Sequence, residues 1–346
     1  MSTLPVTVLL AVHNGAATLA ASVASILRQT HRELELLVID DGSTDETGAV
    51  LRQVADPRLR VLKNERNLGL TRSLNRGLEE ARGEWIARLD ADDLCDSRRL
   101  EKQRAFLAAH PDVALLGSSA WRMNDAGRVT GANDLPVSHE AIRWAAVWDS
   151  PFLHPAVIFR RSVVRDLGGY DERYAIAQDY DLWTRLAARH RVANLPERLV
   201  FMREHPASMT RAQSARTTEE VAQLQAQNLA AAFPGRVFSV EEKRSIALLR
   251  LRFPASELPA VSALVDRLFA EYVRASGPVT PDLRATHCRL HLRLAHKFLA
   301  VDRRAAAGEI ARSLRASPGE WMRQALTVVR CAAAPPSAVR YDPGSK

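Results

Sequence analysis

Apolar positions in the first hundred residues follow two alternating rhythms. "VTVLLAV" (Val6 to Val12) and "LELLVID" (Leu34 to Asp40) are short, nearly unbroken apolar runs, the pattern of strands buried on both faces. "RLRVLKN" and "EWIARLD" read as a third and a fourth strand. Between and after them, "TLAASVASILRQ", "LTRSLNRGLEEA" and "SRRLEKQRAFLAA" carry apolar residues at helical spacing. "STDETGAVLRQV" adds a further helix, with Ser43 as its expected N-cap and Glu46 completing a capping box. Strand and helix in this alternation predict an α/β fold, a mostly parallel Rossmann-like sheet flanked by helices. In such sheets ligands bind beyond the carboxyl ends of the strands.

The pattern changes near residue 111. "VALLGSSAWRMNDAGRVTG" predicts a hairpin turning at Asn124 to Gly127, and "HPAVIFRR" and "ERLVFMREH" predict two more strands around the helix "DYDLWTRLAARH". After Met209 strand signals mostly stop. Thr217 with Glu220 and Ser239 with Glu242 are capping-box patterns, and Pro281 sits just inside a helix start. The expected organisation is an α/β domain over residues 1–212 and an α-helical C-terminal region over 213–346, with a frayed tail from about 333.

Charge sharpens that division. The chain carries +8 overall; residues 1–212 balance 28 basic against 28 acidic side chains, whereas 213–346 hold 20 against 12. A basic helical surface is either a plain solvated, Arg-rich face or one that suits an anionic membrane. Nucleic acid is not expected as a partner, because aromatics make up only 6% and no RNA-binding motif is present. Cys95, Cys288 and Cys331 are too few and too scattered for a disulfide framework or a cysteine zinc site, so a reducing cytoplasm is expected. No apolar run reaches the length of a membrane span.

The four strand ends carry the chemistry: "VHNG", "DDGSTD", "NERNLG" and "DADD". Adjacent carboxylates repel and are costly to bury unless something positive lies among them. If "LDAD" continued as strand, Asp90 and Asp92 would share a face about 6.6 Å apart, a pair suited to a hard divalent cation. The plain alternative is a solvated acidic turn leading into the helix after Ser97.

In context these blocks resemble glycosyltransferase family 2, the inverting nucleotide-sugar enzymes of GT-A fold. The resemblance runs from "VTVLLAVHNGAATLAASVASILRQTHRELELLVIDDGSTDET" through "NLGLTRSLNRGLEEARGEWIARLDADD" and "QDYDLWTRLA" to "LVFMREHPASMT", about residues 4–210. It implies roles residue by residue. Val12, His13, Asn14 and Asp41 would frame and bind the nucleoside. Asn67 and Gly69 would let the chain approach the nucleotide closely. Asp90 would lie by the ribose or a metal-bound water, and Asp92 would hold Mg²⁺ or Mn²⁺ on the diphosphate, with His205 approaching the metal. Asp93 would instead open the following helix. Asp179 would be the general base that activates the acceptor hydroxyl, its alternative being a helix cap. His154 would be structural or acceptor-side, and Arg203 would face the diphosphate or merely flank a strand.

Two positions depart from the family pattern. His13 replaces an aromatic residue, usually Tyr, and Gln178 replaces a Glu before the presumed base. The absence of a Q-x-x-R-W motif favours single-sugar transfer over polymer synthesis. The resemblance therefore implies a metal-dependent, non-processive glycosyltransferase with a nucleotide-sugar donor and a glycan or lipid-linked acceptor. Surface polysaccharide or glycolipid assembly is its implied setting, in the cytoplasm or peripherally at the inner membrane face. The alternatives are a sugar nucleotidyltransferase, opposed by the lack of Lys or Arg in "AVHNGAATL", and a non-catalytic nucleotide-sugar-binding scaffold.

Overall fold

The computed structural model describes residues 6–204, 214–249, 254–298 and 302–319. The first four sheet strands are β1 (Val6–Val12), β2 (Leu34–Asp40), β3 (Leu59–Lys63) and β4 (Trp85–Arg88). They pair in parallel in the order β3-β2-β1-β4, with α1 (Ala16–Leu27), α2 (Thr47–Arg52) and α3 (Leu70–Glu80) as crossovers. Every residue of β1 and β2 is buried, which is why their apolar runs are continuous rather than alternating. Each fully buried Leu or Val there contributes about 1.5–3 kcal/mol relative to exposure.

Beyond β4 the sheet becomes mixed. β5 (Leu94–Cys95), α4 (Arg99–Ala109), β6 (Val113–Met123) and β7 (Val129–Asn133) follow, with β6 and β7 forming the expected hairpin. α5 (His139–Ala146) leads to a 3₁₀ turn at His154–Ala156, then β8 (Ile158–Arg160) and α6 (Arg161–Asp166). β8 runs antiparallel between β4 and β6. α7 (Gln178–Arg189) and β9 (Arg191–Arg203) complete the sheet; β9 is parallel to β6 and antiparallel to the two-residue β5. The strand order is β3-β2-β1-β4-β8-β6-β9-β5.

The helical part comprises α8 (Ser214–Ala232), α9 (Val240–Leu248), α10 (Leu258–Ser276), α11 (Pro281–Phe298) and α12 (Arg303–Ala316). Two compact units emerge among the described residues: 6–135 with 150–221, and 136–149 with 222–319. The boundary thus differs from a single cut at residue 212. α5 belongs to the helical unit because fully buried Trp144 packs against Phe269 and Tyr272 of α10 and His287 of α11. Among the described residues no helix is long and apolar enough to cross a membrane.

The capping expectations divide. Ser239 and Glu242 form the predicted box at α9. Ser43 does not cap α2, whose N-cap is Glu46; its hydroxyl instead accepts the Asn14 N–H at 3.0 Å. Thr217 lies inside α8, so Glu220 is released for the different task described below.

Candidate active site

The loops at the carboxyl ends of β1 and β2 are built around each other. Asn14 adopts a left-handed φ of 54°, a conformation Asn tolerates better than most residues. Its Oδ1 accepts the Thr44 N–H at 2.9 Å and the Asp45 N–H at 3.3 Å. His13 Nδ1 lies 2.9 Å from the Asp41 carbonyl, and the Val12 carbonyl accepts the Asp41 N–H at 2.8 Å. Gly42 has φ +66°, and a Cβ there would lie 2.4 Å from the Arg66 carbonyl carbon, so this turn admits only glycine.

Asp41 is more deeply engaged than a ligand-facing residue at a strand end. It is 4% exposed. One carboxylate oxygen accepts Asn64 Nδ2 at 2.7 Å and the Leu68 N–H at 2.8 Å, and the other accepts the Gly69 N–H at 2.9 Å. Asn67 Oδ1 shares that Gly69 donor at 2.9 Å, and Gly69 itself has φ +92°. Val12, His13, Asn14, Asp41, Asn67 and Gly69 are therefore gathered at one end of the sheet, with Asp41 as the tie between two loops.

The acidic cluster corrects the strand argument. β4 ends at Arg88, and Ala91 and Asp92 form a turn, so strand alternation does not set the Asp90–Asp92 geometry. The positive charge that the cluster needs is Arg88 itself, fully buried, whose guanidinium pairs with Asp90 Oδ1 and also donates to the Leu89 carbonyl. Burial pushes the Asp90 carboxyl up, but the charge of Arg88, the neighbouring His154 and the hydrogen bond from Arg88 together hold it below its ordinary value. Asp93 does not open α4, which begins at Arg99. It is buried and accepts the Arg203 N–H at 2.7 Å. Burial, then repulsion from Asp90 and Asp92, pushes its carboxyl well above the usual range. The Arg203 side chain is turned to the carbonyls of Asp92 (3.1 Å), Asn124 (3.2 Å) and Asp125 (2.8 Å), so it braces loops rather than facing a diphosphate. His205 lies outside the described residues.

Asp179 lies in the first turn of α7 but is not its cap, which is Ala177; its Oδ1 accepts the Tyr180 N–H at 2.7 Å. Burial, and then the negative charge of Asp90, raise its carboxyl to about 6. That coupling brings the acidic turn and the start of α7 into one electrostatic site. His154, 9% exposed, lies within reach of the charges of Arg88 and Asp90, with Nε2 3.0 Å from the Tyr170 hydroxyl. Burial and the charge of Arg88 lower this imidazole to about 3, so His154 is neutral.

Three residues were not singled out from sequence. Arg88 was legible in principle, as a lone cation closing an otherwise apolar strand two residues before Asp90. Tyr170 has no sequence signal; its backbone is held by Asn75, which accepts its N–H at 2.9 Å and donates to its carbonyl at 2.8 Å. Glu220 was assigned to a capping box. Its carboxylate instead accepts three successive backbone N–H groups, from Ala175 (3.1 Å), Ile176 (3.0 Å) and Ala177 (3.0 Å), directly before Asp179.

Comparison with known proteins fits this arrangement. The sequence model described as glycosyl transferase family 2 matches residues 7–168. EpsE of Bacillus subtilis (strain 168), itself named only as a candidate glycosyltransferase, is 38% identical over 205 residues, spanning 58% of this chain and 73% of its own. The chain belongs to glycosyltransferase family 2. The amylovoran biosynthesis glycosyltransferase AmsE of Erwinia amylovora is 35% identical over 182 residues, 52% of this enzyme and 68% of its own chain. Solved structures extend the likeness in fold. TarS residues 1–349 of S. aureus, in complex with UDP-GlcNAc, align with a TM-score of 0.55 at 17% identity over 93% of this chain and 92% of theirs. The mannosyltransferase PcManGT of Pyrobaculum calidifontis, in complex with GDP-Man and Mn²⁺, aligns at 0.55 and 21% over 90% and 88%. The α/β part of this glycosyltransferase is thus a GT-A fold followed by a helical C-terminal region.

Proposed function

We propose that this glycosyltransferase transfers one sugar from a nucleoside-diphosphate donor to an acceptor hydroxyl with inversion, and that Asp179 is the general base. The observation that carries the reading is the Asp179 carboxyl, raised to about 6 beside Asp90 at the carboxyl end of the sheet. A base poised near neutrality is ionised at working pH yet still takes up a proton readily. The loops of His13, Asn14 and Asp41 would receive the nucleoside, with Asn67 and Gly69 at its edge. Arg88 would keep Asp90 ionised and oriented throughout the cycle. Neutral His154 and the Tyr170 hydroxyl would line the acceptor side without adding charge.

The acidic turn fits a hard divalent cation. Its side chains offer oxygen donors, and the mutual repulsion that raises Asp93 marks an excess of negative charge for a cation to relieve. Asp92 would be its main ligand, with Asp90 second and His205 as a further candidate. Mg²⁺ or Mn²⁺ bound there would supply electrostatic stabilisation of the departing diphosphate.

In this reading the catalytic unit is the one built on the sheet, residues 6–135 with 150–221, and the basic C-terminal helical region docks at the inner face of a membrane near a glycan or lipid-linked acceptor. The polysaccharide setting is supported by the name of the Erwinia relative. The direct test is nucleoside diphosphate release from UDP-, GDP- and TDP-sugars, with and without Mn²⁺. Asp179→Asn should fold and lose transfer, and Asp92→Ala should lose the Mn²⁺ response; normal turnover by both variants would refute the assignment.

A further inference from the structure

The helical unit contains a cluster of titratable side chains that the proposed transfer reaction does not use. α10 carries Asp266, α11 carries His287 and His291, and α12 carries Glu309 and Arg312. The two histidines are four residues apart, which puts them on one face of α11. Both reach the same oxygen: His287 Nε2 is 3.1 Å and His291 Nε2 is 2.9 Å from Asp266 Oδ1. The three donor atoms lie within 4.8 Å of one another. His287 is 5% and His291 1% exposed, whereas the Asp266 side chain is 40% exposed, so the cluster is buried on its histidine side and open on its carboxylate side.

The surroundings fix each of these groups in place. The His287 ring stacks on Phe269 with centroids 3.9 Å apart and planes 3° from parallel. Arg312 donates to Asp266 Oδ2 at 2.8 Å, which leaves Oδ1 as the oxygen turned to the imidazoles. Glu309 Oε2 lies 2.7 Å from His291 Nδ1, and its other oxygen accepts the Ser262 hydroxyl at 2.6 Å. A carboxylate behind a histidine is the usual outer partner of a metal-bound imidazole, because it holds the proton on the far nitrogen. Burial lowers the His291 imidazole, but its hydrogen bonds to Asp266 and Glu309 raise it to about 9, so without a metal the ring carries a proton to each carboxylate. A divalent cation would take the place of the Nε2 proton, held by the same atoms, while Nδ1–H stays on Glu309.

We propose that Asp266, His287 and His291 form a zinc-class metal site that clamps α10 to α11, with Glu309 of α12 as its outer carboxylate. Two imidazoles and one carboxylate suit borderline Zn²⁺ better than Mg²⁺, which takes oxygen ligands. With three protein ligands, a fourth would be water. The ion is separate from the one at the acidic turn and differs from it in donor chemistry. Its role is structural, since an ion that binds only the folded state stabilises it.

The test uses the full chain, stripped with a chelator and then titrated. Calorimetry with Zn²⁺ should show one tight site per chain, and the melting temperature should rise on loading. Co²⁺ loaded into the wild type should give the intense visible bands of a four-coordinate site. His287→Ala and His291→Ala should abolish both signals, while Asp92→Ala should retain them. A wild-type chain with no Zn²⁺-dependent melting shift and only the weak spectrum of aqueous Co²⁺ would show that a proton alone closes the cluster, overturning the proposal. Binding lost in Asp92→Ala and kept in the histidine variants would overturn it equally. The wild-type Co²⁺ spectrum decides the matter even if a histidine variant does not fold.

Discussion

Arg88 lies fully buried at the end of β4 and is paired with the Asp90 carboxylate two residues on. The guanidinium thus faces the head of the sheet where three Asp residues crowd one turn. Asp90 is one-third exposed on its side chain while Arg88 is closed off, so the pair joins protein interior to site. Removing Arg88 leaves Asp90 beside Asp92 and Asp93 with no compensation from beneath. Arg88→Met is expected to lower stability by about 2–4 kcal/mol, somewhat less than for a wholly buried pair because Asp90 keeps solvent. Arg88→Met/Asp90→Asn should recover part of that loss. Thermal melts of the two variants provide the check; equal melting temperatures would show that the pair does not carry the effect.

The raised Asp179 carboxyl has two consequences of opposite sign. Transfer activity needs it ionised, so kcat/KM should fall as pH drops through about 6. Stability behaves differently, because a folded-state pKa above the unfolded value means that ionisation costs folding energy. That cost is fully present above about 6 and disappears below the ordinary aspartate value of 3.8. Asp179→Asn should therefore melt higher than wild type at pH 7.5, with the gap closing as pH falls towards 4, and should be inactive at every pH. Melting curves across that range, beside pH–rate profiles, test both halves.

Glu220 gives the site a second kind of support. Its three hydrogen bonds to Ala175, Ile176 and Ala177 hold the approach to α7 from the start of α8. Glu220→Gln replaces one acceptor oxygen by an amide donor aimed at backbone N–H groups, which both loses a bond and adds a clash of donors. Turnover is expected to drop about ten-fold, as misplacing a reacting group by a fraction of an ångström costs rate. Amide exchange at residues 175–177 should quicken in parallel. Unchanged exchange there alongside lost activity would point away from positioning.

The contrast between these residues explains how far the sequence could be read. β1 and β2 were legible because burial on both faces writes itself as uninterrupted apolar runs. The place of Asp179 at the start of a helix was legible, because "DYDLWTRLAARH" carries helical spacing. Glu220 was not, since its partners lie some forty residues away and its local spacing imitates a capping box. Asp90 and Asp92 were placed on one strand face because nothing local shows that β4 stops at Arg88. Asp93 failed for the same reason: its partner, the Arg203 N–H, comes from a strand 110 residues later. That a positive charge must lie among the carboxylates followed from charge alone; that Arg88 supplies it to Asp90 came from the structure.

Asp41 separates a binding role from a scaffolding one. A carboxylate that only met the nucleoside could become Asn with a loss of donor affinity and an intact fold. Here both oxygens already accept protein donors, from Asn64, Leu68 and Gly69. An amide in its place must turn an NH₂ towards the Gly69 N–H or towards the donors from Asn64 and Leu68, setting donor against donor in a buried site. That costs about 1–3 kcal/mol. Asp41→Asn should accordingly lower the melting temperature without any donor present and weaken nucleoside diphosphate binding as the 64–69 loop loosens. Asp41→Ala should be worse in stability, because it removes an acceptor from all three donors at once, and only Gly69 and Asn64 keep another, at Asn67 and Ser73. Melting curves without ligand, set against nucleoside diphosphate titrations, distinguish the two roles. Reduced binding with an unshifted melting temperature would assign Asp41 to the ligand alone.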